Sequence, residues 1–248
     1  MSTNPAALPA SGGNLLVSEM FCSLQGEGLT AGLPAAFLRL GNCNLSCGYC
    51  DTAYTWDDSR FDLTQELSQL PLSQVIDWVC EHAPGRLIIT GGEPLIQQSL
   101  LSLLLAQIDQ AFEARDRPRL VVEVETNGTI LPPLPLAQRI DHWNVSPKLS
   151  NSGQAASARE KEAVLRGLAA LPQAVFKFVV RDAADVEEAA ELGRRLDIAP
   201  HRLLLMPEAQ TPEQLRQRAP AVAEWAYKKR LRYSGRLHLE LYGGRRGA

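Results

Sequence analysis

The sequence predicts an α/β fold, a partial and open β/α barrel of about six units. Three observations lead there. Short apolar runs alternate with longer amphipathic ones, the order expected of strands followed by crossover helices. Several of the short runs are continuously apolar, which suits strands covered on both faces. The chain has 248 residues, marginal for a closed eight-unit barrel of about 250 residues.

The strands follow in order. "AAFLRLG" (35–41), "RLIIT" (86–90), "RLVVEVET" (119–126), "HWNVS" (142–146), "AVFKFVV" (174–180) and "HRLLLM" (201–206) are short and rich in leucine or β-branched residues. "NLLVSEMFCSLQ" and "GRLHLELYGG" are expected to add edge strands. Between them lie helices. "LIQQSLLSLLLAQIDQAFEARD" places Ile96, Leu100, Leu103, Leu104 and Ile108 on one face. "DAADVEEAAELGRRLD" turns Val186, Ala190 and Leu196 inward. Asp182 caps it, and its early acids and late Arg194 and Arg195 suit the helix dipole. "TPEQLRQRAPAVAEWAYKKR" opens with Thr211 as cap and Pro212 in the first turn, and Pro220 is expected to kink or break it. "NGTILPPLPLAQ" (127–138) and "KLSNSGQAASARE" (148–160) are expected as mobile loops. Residues 1–14 are expected to form a flexible leader and 15–248 a single domain.

Composition excludes some roles. Hydrophobic residues make up 45%, enough for a sizeable core. With 25 basic and 28 acidic residues the net charge is −3, which gives no reason to expect nucleic acid as a partner. No apolar run reaches membrane-spanning length. The N-terminus lacks the charged and apolar regions of a signal peptide. The expectation is therefore a reducing cytoplasm, where structural disulfides are rare.

Three of the five cysteines stand within "CNLSCGYC". Cys43, Cys47 and Cys50 have the spacing C-x3-C-x2-C and follow the first predicted barrel strand almost directly. Four readings compete. A structural zinc needs a fourth ligand from Cys22, Cys80 or a histidine. A Cys47/Cys50 redox pair leaves Cys43 unexplained. Three inert packed cysteines sit poorly beside Asn, Ser, Gly and Asp. An iron–sulfur cubane held by three thiolates keeps one iron free for a small molecule.

The spacing, with Tyr49 before the last cysteine, resembles the radical S-adenosylmethionine (SAM) superfamily. In that superfamily SAM chelates the open iron and is cleaved to methionine and a 5′-deoxyadenosyl radical. "ITGGEP" (89–94) resembles the motif that binds the SAM amino group. Its glycines allow close backbone approach, and Glu93 can accept charge-assisted bonds from an ammonium. A plain strand-to-helix turn is the simpler reading of that stretch.

More narrowly, "FCSLQGEG", "FLRLGNCNLSC", "CDTAYTW", "ITGGEPL", "ETNGT" and "SPK" resemble the 7-carboxy-7-deazaguanine synthase (QueE) family of 7-deazapurine and queuosine biosynthesis. The resemblance implies a radical SAM type barrel and a lyase. It implies conversion of 6-carboxy-5,6,7,8-tetrahydropterin to 7-carboxy-7-deazaguanine with loss of ammonia. A 4Fe–4S cluster, SAM, Mg²⁺, an external electron donor of flavodoxin-like kind and a homodimer come with it. Some relatives carry a long insertion between the first two cysteines, and this chain does not.

Residue chemistry suits that substrate. Arg39 offers planar donors for a carboxylate. Glu27 can accept N–H bonds from a pterin edge, and Gln25 can donate and accept. Gly26 and Gly91 leave room for a ligand beside the backbone. Thr52 matches the Mg²⁺ ligand of the family, with Asp51 as the alternative. Tyr49, Gly92, Glu93, Glu125, Asn127, Ser146 and Lys148 are expected at SAM, although Lys148 can instead pair a carboxylate. Lys177 points away from Phe176 and Phe178, into a pocket or into solvent. His238 is a candidate substrate contact. His82 and His201 are expected at the surface, His142 as structural, and Cys22 and Cys80 as small buried hydrophobes. The tail "GGRRGA" reads as a lid or as a frayed end, with fraying the expectation. Two other classes share the cysteine spacing: a glycyl-radical activase and a non-catalytic zinc or cluster module.

Overall fold

A computed structural model describes residues 12–247. Residues 1–11 of the expected leader lie outside the described residues, and Asn14 already begins a strand. Nine strands form one sheet: β1 (Asn14–Leu24), β2 (Pro34–Leu40), β3 (Ser68–Pro71), β4 (Arg86–Gly91), β5 (Val121–Thr126), β6 (His142–Val145), β7 (Ala174–Val180), β8 (Leu203–Pro207) and β9 (Arg232–Tyr233). Their order is β3-β1-β2-β4-β5-β6-β7-β8-β9. From β2 onward every neighbour is parallel, while β1 pairs antiparallel with both β2 and β3. β3 and β9 lie at opposite ends of this order, so the sheet curls without closing.

Strand alternation sorts the side chains into two layers. On the helix side, Leu38, Leu87, Ile89, Val122, Val124, Trp143, Val145, Phe176, Phe178 and Leu205 are at most 1% exposed and join one core. Fully burying each such side chain contributes about 1.5–3 kcal/mol. The intervening positions face inward and are largely polar: Arg39, Thr90, Glu125, Asn144, Ser146 and Lys177 all line one cavity. A register shift between Val17 and Glu19 turns Glu19 and Phe21 to that cavity while Leu15 and Val17 stay in the core.

Several expectations need correction. The 235–244 run is a helix, Leu237–Tyr242, because only Leu239 of its leucines is buried, against Ala209 and Leu215. Ile96 is 42% exposed, since Pro94–Gln97 winds as a 3₁₀ turn and the helix Gln98–Glu113 buries Leu101, Leu104, Leu105 and Ile108 instead. Pro220 sits inside an unbroken helix, Pro212–Lys229, on its exposed face, where water can solvate the carbonyl left without a donor. Cys22 is exposed, its thiol reaching the His82 carbonyl at 3.5 Å where the helix Leu72–His82 ends. The two expected loops contain short helices at Leu134–Arg139, Ser150–Ser152 and Ala156–Arg159. Asp182 and Thr211 cap their helices by accepting from the backbone of Asp185 and Gln214.

Candidate active site

A cavity of about 710 Å³ opens at the carboxyl ends of the parallel strands. Cys43, Cys47 and Cys50 line it from the loop after β2, and none forms a disulfide. Gln25, Gly26, Glu27, Arg39, Tyr49, Thr52, Gly91, Gly92, Glu125, Asn127, Ser146, Lys148 and His238 line it too. Residues separated by most of the chain thus meet around one space.

Glu93 is the exception. It is 0% exposed and absent from the cavity wall. Its carboxylate accepts from the backbone of Leu95 at 3.0 Å and of Asn127 at 2.7 Å, and from the Thr126 hydroxyl at 2.8 Å. Burial pushes its carboxyl above the ordinary value despite these bonds. Glu93 ties the β4 and β5 loops together through these three bonds. The glycines before it are also explained by the protein itself. Gly91 has φ +137°, and a Cβ there would lie 2.1 Å from the Leu40 carbonyl. A Cβ on Gly92 would lie 2.1 Å from the Asn42 carbonyl. The close approach is between backbones, not to a ligand alone.

The pterin-side residues form a charge network. The Glu27 carboxylate pairs with Lys177, accepts from the Arg236 Nε at 3.0 Å, and has the His238 ring 3.9 Å away. Although burial pushes the Glu27 carboxyl up, the Lys177 and Arg236 cations hold it well below the usual carboxylate range. Burial pulls the Arg236 guanidinium and Lys177 amine down, yet their carboxylate partners leave both raised. Arg236 also bonds Asp51 and the Ala209 carbonyl. Asp51, the alternative metal ligand, is therefore an ion-pair partner here. Arg236 had no sequence signal beyond its charge. Lys177, at 4% exposure, resolves to the cavity.

Gln25 is fully engaged: its amide donates to Glu123 at 3.1 Å and Glu125 at 3.3 Å, and its carbonyl accepts from the Glu27 backbone at 3.2 Å. Gly26 supports the helix that carries His238; a Cβ there would strike the His238 ring at 2.1 Å. Burial pulls the His238 ring below its ordinary value, more than Glu27 raises it. Arg39 donates its Nε to Glu19 at 2.8 Å, and Glu19 also accepts from the Tyr54 hydroxyl at 2.9 Å. Among the described residues nothing bonds the outer guanidinium nitrogens of Arg39, which lines the cavity. Lys148 donates to Ser146 at 3.0 Å and pairs with no carboxylate among the described residues.

The tail is docked through Gly247 rather than frayed. Gly244, Arg245, Arg246 and Gly247 line the cavity mouth. Arg246 bonds Glu66 at 2.8 Å and stacks over the Tyr54 ring at 3.5 Å.

The cysteine loop fits a cluster. Burial pushes the Cys43 thiol up to about 11 and raises Cys47 as well, so a cluster binding here would have to displace their protons. Among the described residues no three His, Cys, Asp or Glu side chains converge on one metal ion. A cubane spreads its thiolates over separate irons, so it does not require that convergence.

An open β/α barrel bearing three cysteines at C-x3-C-x2-C spacing beside its strand ends defines the radical SAM class. Residues 24–140 match the family described as a 4Fe-4S single cluster domain. A 7-carboxy-7-deazaguanine synthase of Pyrobaculum aerophilum is 37% identical over 93% of this chain and 96% of its own. One of Rhodopirellula baltica is 32% identical over 98% and 92%. The crystal structure of QueE from Escherichia coli shares the fold with a TM-score of 0.60 and 24% identity, covering 91% of this chain and 95% of that one. The chain belongs to the 7-carboxy-7-deazaguanine synthase family.

Proposed function

We propose that the chain converts 6-carboxy-5,6,7,8-tetrahydropterin to 7-carboxy-7-deazaguanine with loss of ammonia, as a lyase of 7-deazapurine and queuosine biosynthesis. The observation that carries this is the shared cavity, where the three free cysteines face Arg39, Glu27 and His238. Cys43, Cys47 and Cys50 would hold a 4Fe–4S cluster, and its chemistry when bound is to supply the electron that cleaves SAM.

The remaining chemistry belongs to side chains. Arg39, with Nε fixed by Glu19, turns its outer nitrogens to the substrate carboxylate. Glu27 stays ionised between two cations and accepts N–H bonds from the pterin edge. Glu125, Asn127, Ser146 and Lys148 border the SAM side, with Tyr49 and Gly92. Thr52 would be the protein's oxygen ligand to Mg²⁺, which would neutralise the substrate carboxylate, and the ion pair with Arg236 holds Asp51 away from that role. The reading includes an external electron donor of flavodoxin-like kind, a homodimer, a cytoplasmic setting and one radical SAM domain over residues 15–248. No helix of the described residues is long and apolar enough to cross a membrane.

The test is anaerobic incubation of reconstituted protein with SAM, reductant, Mg²⁺ and the carboxytetrahydropterin, followed by mass analysis. The expected product is the deazaguanine carboxylate with one equivalent of ammonia. Intact substrate alongside a reducible cluster would overturn the reading. Replacing Cys43, Cys47 or Cys50 by alanine is expected to abolish turnover and lower bound iron.

A further inference from the structure

The indole N–H of Trp56 donates to the Cys50 Sγ across 3.4 Å. We propose that Trp56 is a positioning residue for electron entry: its N–H bonds a cluster sulfur and raises the reduction potential of the cluster. The inference rests on the reading that Cys50 ligates a 4Fe–4S centre.

The local fold fixes the indole. Ala53–Thr55 form a 3₁₀ turn closed by the Trp56 and Asp57 amides on the Ala53 carbonyl, at 3.0 and 2.8 Å. The Thr55 carbonyl accepts from Asn42 at 2.8 Å, so the turn is tied to the start of the cysteine loop. The buried Trp143 spends its N–H on a carbonyl, that of Ala137 at 3.2 Å. Trp56 instead points its donor at a thiol. The three cysteines differ in this respect. Among side-chain donors of the described residues, Cys50 has Trp56 and, at 3.7 Å, the Thr52 hydroxyl, Cys43 has Asn127 at 4.0 Å, and Cys47 has none; Cys43 also takes a backbone bond from Leu45.

Indole donates and cannot accept, so its bond has one polarity. Reduction adds negative charge to the irons and their sulfurs. An N–H aimed at a thiolate stabilises the reduced state more than the oxidised one, and hydrogen bonds to sulfur are among the levers that set such potentials.

Trp56→Phe keeps the aromatic ring and removes the donor. In anaerobically reconstituted protein, a redox titration followed by electron paramagnetic resonance is expected to give a lower midpoint potential than wild type at equal iron content. An equal potential at equal iron content would overturn the inference. If the variant takes up no iron, wild-type protein carrying ¹⁵N-indole tryptophan decides instead. The chain has four tryptophans, and of these only Trp56 lines the cavity among the described residues. Pulsed resonance on the reduced cluster is expected to show a ¹⁵N coupling, and its absence counts against the bond. Wild-type protein that forms no reducible cluster removes the underlying function as well, an outcome separable from an unshifted potential.

Discussion

Glu27 sits between Lys177 and Arg236, both at most 6% exposed. Removing the carboxylate takes the short ion pair from buried Lys177, whose other carboxylate, Glu125, is 4.0 Å away, while Arg236 keeps Asp51; breaking such a buried pair costs about 3–5 kcal/mol. The sign of the pH dependence follows from the depressed carboxyl. Its stabilisation is present above the unfolded value of about 4.3 and is lost as pH falls toward the folded value. Denaturant unfolding of Glu27→Gln is therefore expected to show a deficit at pH 7 that narrows by about 1–2 kcal/mol between pH 5 and pH 3; a constant gap would mean Glu27 is not ionised. At Thr52, removal of the hydroxyl by Thr52→Ala is expected to weaken the response of turnover to added Mg²⁺, and an identical titration would take Thr52 out of the metal site. Glu27 and Arg39 were legible because they flank the cysteine loop in short motifs. Arg236 was not, since it lies 209 positions from the Glu27 it holds and carries no local pattern. Glu93 adds a structural part to a conspicuous motif: its carboxylate accepts from three protein donors that join the β4 and β5 loops.

At the scale of elements, six of the seven parallel strands were readable because each is a short apolar run, and burial on the helix side repeats every second residue; the two exposed residues of β9 carry no such run. β3 was missed because Ser68–Pro71 is polar and exposed, and pairs only with β1 at the sheet edge. The Leu237–Tyr242 helix was misread because a strict alternation of leucines imitates a strand, and only its contact with the helix Pro212–Lys229 and Ala209 decides otherwise. Pro220 offers a quantitative check. Proline costs about 3 kcal/mol in a helix interior relative to alanine, partly offset by about 1 kcal/mol from a stiffer unfolded chain. Pro220→Ala is therefore expected to stabilise the fold by roughly 2 kcal/mol. In a chain of this size that raises Tm by about 4–8 °C, read by calorimetry. An unchanged Tm would show that the helix has already absorbed the missing bond.

At the scale of the whole molecule, the C-terminal segment crosses from one side of the cavity to the other. The Leu237–Tyr242 helix docks on Gly26 through a backbone bond of 2.8 Å, and Arg246 then reaches Glu66 and Tyr54. That far clasp is weak. Arg246 is 46% exposed, so its ion pair contributes under about 1 kcal/mol, and the stacking adds about 0.5–1 kcal/mol. A clasp of about 1–2 kcal/mol keeps the segment closed by a factor of roughly 5–30. Deleting residues 244–248 is therefore expected to lower Tm by no more than about 2–8 °C while raising KM for the pterin several-fold. It should also increase SAM cleavage that is not matched by product, because water then reaches the radical step. Raising ionic strength should move the intact chain partway toward the same behaviour, since the ion pair is screened. The deletion should be insensitive to salt in this respect. Equal KM and equal coupling in the shortened chain would reduce the segment to a surface contact with no part in turnover.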